Sequence, residues 1–187
     1  MPSTKSADPY VVEVRTAHTA KLSAAALRSV RALLDEAFDG DFTDEDFEHG
    51  LGGVHALVSE GSTLVGHGCV VMRRLWHAGR SLRTGYVEGV AVHSAHRGHR
   101  HGHAVMAELE RVIAGAYEIG ALSTSESAFG FYASRGWQLW NGTASVFSPN
   151  GIQRTPDDEG AIYLLPGSVQ IPAGGDLACD WRDGDVW

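Results

Sequence analysis

The chain has 187 residues and carries 15 Lys+Arg against 23 Asp+Glu, a formal net charge of -8 that disfavours unspecific binding to nucleic acid or an anionic membrane. With 43% hydrophobic and 20% charged residues it is neither disordered nor collagen-like, and its length suits one domain burying roughly 70% of its unfolded surface. Apolar runs stop at about four residues where a membrane helix needs roughly 20, the N-terminal MPSTKSADPY lacks the apolar core of a secretory signal, and Cys69 and Cys179 show no CxxC spacing, so a soluble cytoplasmic protein with neither disulfide framework nor zinc ribbon is expected.

Alternation from Tyr10 to Arg15 predicts a first strand, and Ser23 predicts the cap of a helix whose apolar face is Leu27, Val30, Leu34 and Phe38. Thr43-x-x-Asp46 resembles a capping box with Asp in place of Glu, which predicts a short helix near Glu45 to Gly50. The period then changes. Val54 to Ser59, Thr63 to His77 and Leu82 to His93, separated by Glu60-Gly61 and Ala78-Gly79, read as an antiparallel three-strand meander. A helix is expected from about Gly98 to Tyr117, with Val105, Leu109, Val112 and Ile113 on one face. Ala121 to Thr124 reads as a short buried strand, Glu126 to Ser134 as a helix closed by Gly136, and Trp137 to Phe147 and Ala161 to Leu165 as two more strands. That order predicts a single mixed α/β domain over residues 1–187, with a mostly antiparallel sheet flanked by helices. Residues 167–187, glycine-rich and acidic, are expected to form a tail folded back toward the substrate site.

Charge is segregated along the chain. Asp35 to Glu48 holds eight acids and no Lys or Arg, Asp157 to Glu159 holds three, and the tail adds Asp176, Asp180, Asp183 and Asp185. Arginines concentrate in the middle, between Arg73 and Arg111. These blocks are either solvated surface or the marks of two ligands, an anion at the centre and a cation between acidic loops. The segment from Val90 to Gly102 joins a strand to a helix through arginines, histidines and glycines, and free N–H groups at a helix start, with the helix dipole, favour a pyrophosphate there. Walker A chemistry is excluded because the only lysines are Lys5 and Lys21. The third glycine of a Rossmann fingerprint and a G-x-S-x-G elbow are also missing. His93, His96, His99, His101 and His103 carry no interspersed Cys or carboxylate, so no metal is assigned to them, and partial protonation would instead aid phosphate binding.

Arg97 to Gly102 followed by a long helix resembles the acetyl-coenzyme A loop of the GNAT acyltransferase superfamily, Arg/Gln-x-x-Gly-x-Gly/Ala, with Arg100 in place of the middle glycine. Phe131-Tyr132-Ala-Ser-Arg-Gly136-Trp137 resembles the second signature of that superfamily. Gly40 to Thr43, Leu51 to Leu57, Gly85 to Val92, Thr155 to Asp158 and Cys179 to Trp187 are similar to the aminoglycoside 2'-N-acetyltransferases of actinobacteria. The resemblance implies a GNAT fold, acetyl-CoA as co-substrate without a metal, an aminoglycoside accepting acetyl at its 2'-amine, a homodimer, and a role in antibiotic resistance.

Amine acylation needs a base for the ammonium, a donor for the thioester oxygen and an acid for the departing thiolate. Glu88, in the strand entering the cofactor loop beside a bulge at Gly89, is the candidate base, acting through water; the alternative is a strand carboxylate paired with Arg83 or another cation. Tyr132 is the candidate acid or a core tyrosine, and Ser123 orients substrate or water or is simply a buried serine. The Val90 N–H is assigned to the thioester and the Val92 N–H to the pantetheine arm. Arg97, Gly98, His99, Arg100, His101 and Gly102 are assigned to the pyrophosphate. By resemblance Asp41, Asp46, Asp158 and Asp185 contact the polycationic substrate, as do Glu88 and Ser123, and Trp187 adds a chain-terminal carboxylate and a ring; the alternative for Asp185 and Trp187 is a frayed tail. No cysteine sits in a nucleophile motif, so direct transfer in a ternary complex is expected. Two other functions fit the same residues: acetylation of a cellular amine, such as a polyamine, an amino sugar of thiol metabolism or a peptide N-terminus, and a non-catalytic acetyl-CoA-binding module.

Overall fold

In the computed structural model, which describes residues 11–172 and 174–187, the first strand β1 runs Val12–His18, and the expected start at Tyr10 lies outside the described residues. The residues group into two compact units, Met1–Cys69 with Gly89–Leu109, and Val70–Glu88 with Glu110–Trp187. Strands β3 (Thr63–His77) and β4 (Arg80–Val92) and helix α3 (His101–Ala116) each contribute residues to both.

In the first unit β1 pairs antiparallel with β2 (Val54–Glu60), Val14 opposite Val58. Helix α1 (Ala24–Ala37) begins as its cap predicts, the Ala26 N–H donating to Ser23 Oγ at 3.1 Å. Its Val30, Leu33 and Leu34 pack with Leu57 and Ala91, and each fully buried aliphatic side chain stabilises by about 1.5–3 kcal/mol. Phe38 departs from the expected apolar face. It is the C-cap and 40% exposed, because the chain turns at Asp39 and Gly40 in left-handed backbone and the ring packs on Phe42, centroids 5.2 Å apart. Helix α2 (Asp44–His49) carries the full capping box: Thr43 N–H donates to Asp46 Oδ2 at 2.9 Å, and Asp46 N–H to Thr43 Oγ1 at 3.1 Å.

In the second unit β4 pairs in parallel with β5 (Ile119–Ser123), with Tyr86 opposite Ala121; parallel neighbours require a crossover, which in chain order contains α3. Helix α4 (Phe129–Ala133) follows a 3-10 turn at Glu126–Ala128. The strand expected over Trp137 to Phe147 is broken into β6 (Gln138–Leu139) and β7 (Thr143–Ser148), and β7 turns back antiparallel into β8 (Gly151–Arg154). Gly142 explains the break. A Cβ there would lie 2.0 Å from the Gly175 carbonyl oxygen, which accepts from Thr143 N–H at 2.9 Å, so two backbones meet where neither has a side chain. Strand β9 (Ile162–Pro166) pairs antiparallel with β5 and β6.

The expected tail is the largest correction. Asp176–Asp180 forms β10, a strand inserted between β3, antiparallel, and β7, parallel. Leu177, Ala178 and Cys179 are buried, and Leu177, Cys179 and Trp187 join the core cluster of Leu75, Tyr86, Trp140 and Val146. Among the described residues no helix is long and apolar enough to cross a membrane. Both cysteines are buried free thiols.

Candidate active site

Strand β4 bends where the bulge is expected. Gly89 has φ +56, and a Cβ there would lie 3.3 Å from Leu34 Cδ2, so the backbone turns left-handed between Glu88 and Val90. A closed chain of hydrogen bonds holds that turn within the first unit. The Gly89 carbonyl lies 2.8 Å from His67 Nδ1 and can only accept, so Nδ1 carries a proton. Burial, then the neighbouring His55, lowers His67 to about 3, and burial lowers His55 to about 4, so both rings are neutral at pH 7. His67 Nε2 therefore accepts from His55 Nδ1 at 2.9 Å, and His55 Nε2 accepts from the Thr19 hydroxyl at 2.7 Å. The two imidazole protons each have one place, while the Thr19 hydroxyl also lies 3.3 Å from the Gly53 carbonyl, and nothing in the sequence signalled this pairing of residues twelve apart.

Beyond β4, a 3-10 turn at Ser94–His96 precedes the loop. The helix expected from Gly98 starts at His101, because Gly98 (φ +85) and Arg100 (φ +66) are both left-handed. Arg100 thus holds, at the cost of its Cβ, the backbone shape that the glycine of the resembling pattern adopts freely. Arg97, Gly98, His99 and Arg100 are exposed, and Gly102 is the second residue of a sixteen-residue helix whose first-turn N–H groups lack intrahelical acceptors. His101 departs from its expected role: its ring is buried, with Nε2 2.7 Å from Glu60 Oε1. Acids brace this basic loop. His96 Nδ1 lies 3.0 Å from Glu60 Oε2, and Ser94 N–H donates to Glu36 Oε1 at 3.2 Å, a bond that lowers the Glu36 pKa.

The acid-rich segment is less bare than its sequence. Arg31, from α1, binds Asp35 Oδ1 at 2.7 Å and Asp44 Oδ1 at 2.6 Å, and Asp46 is spent on its helix cap. Asp41 is exposed, in the same unit.

In the second unit the end of the chain converges on Glu88 through Arg182. The Arg182 guanidinium pairs with the Glu88 carboxylate, and it donates to the main-chain oxygens of Asp185 at 2.7 Å and Trp187 at 3.2 Å. The cation expected opposite Glu88 is therefore Arg182, not Arg83, which binds the Ala116 carbonyl at 2.8 Å. Arg73, 3% exposed, ties down the same segment through the Asp180 carboxylate at 2.9 Å and the carbonyls of Asp180 at 2.8 Å and Val186 at 2.7 Å. Both guanidinium carbons lie over the Tyr86 ring, at 4.7 Å for Arg73 and 5.4 Å for Arg182. Trp187 is not a frayed end. It is 6% exposed and its Nε1 donates to Thr155 Oγ1 at 2.9 Å. Asp158 stands at the same turn, its pKa raised by burial and then by the charge of Asp185. Four of the expected residues, Glu88, Asp158, Asp185 and Trp187, thus belong to one network whose centre, Arg182, sequence reading passed over; its signal was being the single base in residues 167–187.

Tyr132 lies in α4, buried against Phe131, Trp137 and Tyr163, and burial pushes its phenol up to about 12. It stays protonated at neutral pH, as a proton donor must. Glu110 secures the following turn by accepting from Arg135 Nε at 2.8 Å and Trp137 Nε1 at 3.0 Å. Ser123 ends β5, half-buried, opposite Ile162. Burial pushes the Cys179 thiol up to about 11, and it donates to the Val186 carbonyl, so it is not a nucleophile.

The mixed sheet flanked by helices is the architecture of an acyl-transfer family, as comparison with known proteins shows. Residues 18–140 match the family described as acetyltransferase (GNAT) domain. The acetyl-CoA complex of a GNAT family acetyltransferase from Brucella melitensis has the same fold, with a TM-score of 0.61 at 14% identity over 93% of this chain and 97% of that one. Eis1 from Mycobacterium abscessus superposes with a TM-score of 0.59 at 20% identity over 72% of this chain, which spans 33% of its length. The aminoglycoside 2'-N-acetyltransferase of Mycolicibacterium fortuitum is 46% identical over 179 residues, 92% of this chain and 91% of that protein. The chain therefore belongs to the GNAT acetyltransferases and, within them, to the aminoglycoside 2'-N-acetyltransferase family.

Proposed function

We propose that the chain transfers the acetyl group of acetyl-CoA directly to the 2'-amine of an aminoglycoside. The observation that carries this reading is the Arg182 network, which attaches the segment bearing Asp185 and Trp187 to Glu88, a half-buried carboxylate one residue before the left-handed turn at Gly89. The arriving ammonium competes with Arg182 for Glu88 and gives up a proton to it through water. The amine nitrogen attacks the thioester carbonyl carbon, the C–N bond forms and the C–S bond breaks. The coenzyme sulfur takes the Tyr132 proton, the second proton of the nitrogen passes through water to restore that phenol, and Glu88 gives the first proton to solvent, so each turnover releases one proton net. The Val90 N–H polarises the thioester oxygen, the Val92 N–H holds the pantetheine arm, and the exposed Arg97–Arg100 turn with the start of α3 takes the pyrophosphate. Asp158 and Asp185, with Asp41, hold further ammonium groups of the substrate, and Ser123 orients the sugar or a water.

The test is mass spectrometry and NMR of tobramycin incubated with acetyl-CoA and the protein. One acetyl group on the 2'-nitrogen is expected, with kcat falling in Glu88→Gln more than KM rises; an unmodified antibiotic overturns the assignment. The same reading includes a cytoplasmic homodimer whose expression raises antibiotic resistance, tested by sedimentation velocity and by growth on tobramycin.

A further inference from the structure

The histidine-rich loop becomes a different object once folded. Glu60 ends β2, and His96 and His101 flank the turn of residues 97–100. His96 Nδ1 lies 3.0 Å from Glu60 Oε2 and His101 Nε2 2.7 Å from Glu60 Oε1. One ligand atom from each of the three residues lies within 4.8 Å of the others. Tetrahedral Zn2+ with bonds of about 2.0–2.1 Å spaces its ligands about 3.3 Å apart, so small rotations of the half-buried Glu60 and His96 side chains, against the buried His101, close the set.

We propose that Glu60, His96 and His101 form a binding site for a borderline divalent transition metal of the Zn2+ type, separate from the transfer chemistry. Two imidazoles and one carboxylate are the ligand types that select such ions over Mg2+ or Ca2+. The carboxylate absent from the local sequence arrives from β2. The ion replaces the protons that His96 and His101 share with Glu60, leaves one position for water or an anionic oxygen, and staples the turn of residues 97–100 to the end of β2. The other convergent set, His55, His67 and Cys69, is less suited to an ion, because all three residues are buried and none is a carboxylate.

Equilibrium dialysis of the untagged full chain against ZnCl2, with metal analysis, tests the site. One saturable equivalent is expected, with a tetrahedral visible spectrum on Co2+ substitution. Glu60→Gln and His96→Gln should each weaken binding by about tenfold or more, as loss of a first ligand must exceed the 10–100-fold cost of losing a supporting one. His96 is 28% exposed in its side chain, so its variant reads out binding even if Glu60→Gln is poorly folded. The proposal is overturned if the wild-type chain binds no Zn2+ saturably. It is equally overturned if binding survives in both variants, or if His67→Gln or a triple His93, His99 and His103→Gln variant abolishes binding while those two variants retain it.

Discussion

Replacing Arg182 by Met keeps the aliphatic stem over Tyr86 and removes the guanidinium that joins the chain end to Glu88. Three bonds are lost: one between charged side chains, worth about 1.5–3 kcal/mol, and two to main-chain oxygens, worth about 1 kcal/mol each. The side chains are 14% and 15% exposed, so solvent replaces the partner of Glu88 poorly and the full loss of about 4 kcal/mol is expected. In a chain of this size that lowers Tm by about 8–16 °C. The pair itself is isolated by a double-mutant cycle with Glu88→Gln, read by urea denaturation at pH 7, where a coupling of about 2 kcal/mol is expected. A coupling below about 0.5 kcal/mol would mean that the Arg182–Glu88 contact contributes nothing beyond two independent side chains, and the description of Arg182 as the centre of the site would be wrong.

Arg100→Gly relieves a left-handed non-glycine residue and should raise stability by about 1 kcal/mol, and calorimetry should show weaker CoA binding because an exposed cation leaves the turn proposed to take the pyrophosphate. His55 and His67 are neutral when folded but take protons in the unfolded chain below their ordinary value of 6.5; stability therefore falls as pH drops through the window between 6.5 and the lowered values, by up to about 1.4 kcal/mol per pH unit for each ring. His67→Gln, whose amide can serve both neighbours, should remove about half of that slope between pH 6.5 and 5 in urea titrations, and an unchanged slope would refute the burial argument. Trp187→Ala should cost about 3–5 kcal/mol as a core truncation, and Trp187→Phe about 1–2 kcal/mol through the lost bond to Thr155 and the smaller ring; thermal melts that place either within about 0.5 kcal/mol of the parent would restore the frayed-end reading.

Local order was legible because its causes are local. Ser23 and the Thr43–Asp46 box cap helices through bonds spanning three residues, the meander follows from alternation and Gly turns, and the bulge at Gly89 lies in the residue type that tolerates it. The passage from strand to helix over residues 90–102 was legible for the same reason, the signals that end β4 and open α3 being contiguous. The net charge of -8 and its segregation into blocks also belong to the sequence alone. Tertiary structure decided what the blocks do. Arg31 neutralises acids that look unopposed, Glu60 supplies the carboxylate that the histidine run lacks, and β10 turns an acidic tail into an interior strand because Gly142 and Gly175 allow two backbones to touch. Arg182 reaches Glu88 across 94 positions of chain. No window of sequence contains both partners of such a bond, and the energy that selects it appears only when the strands between them have been laid side by side.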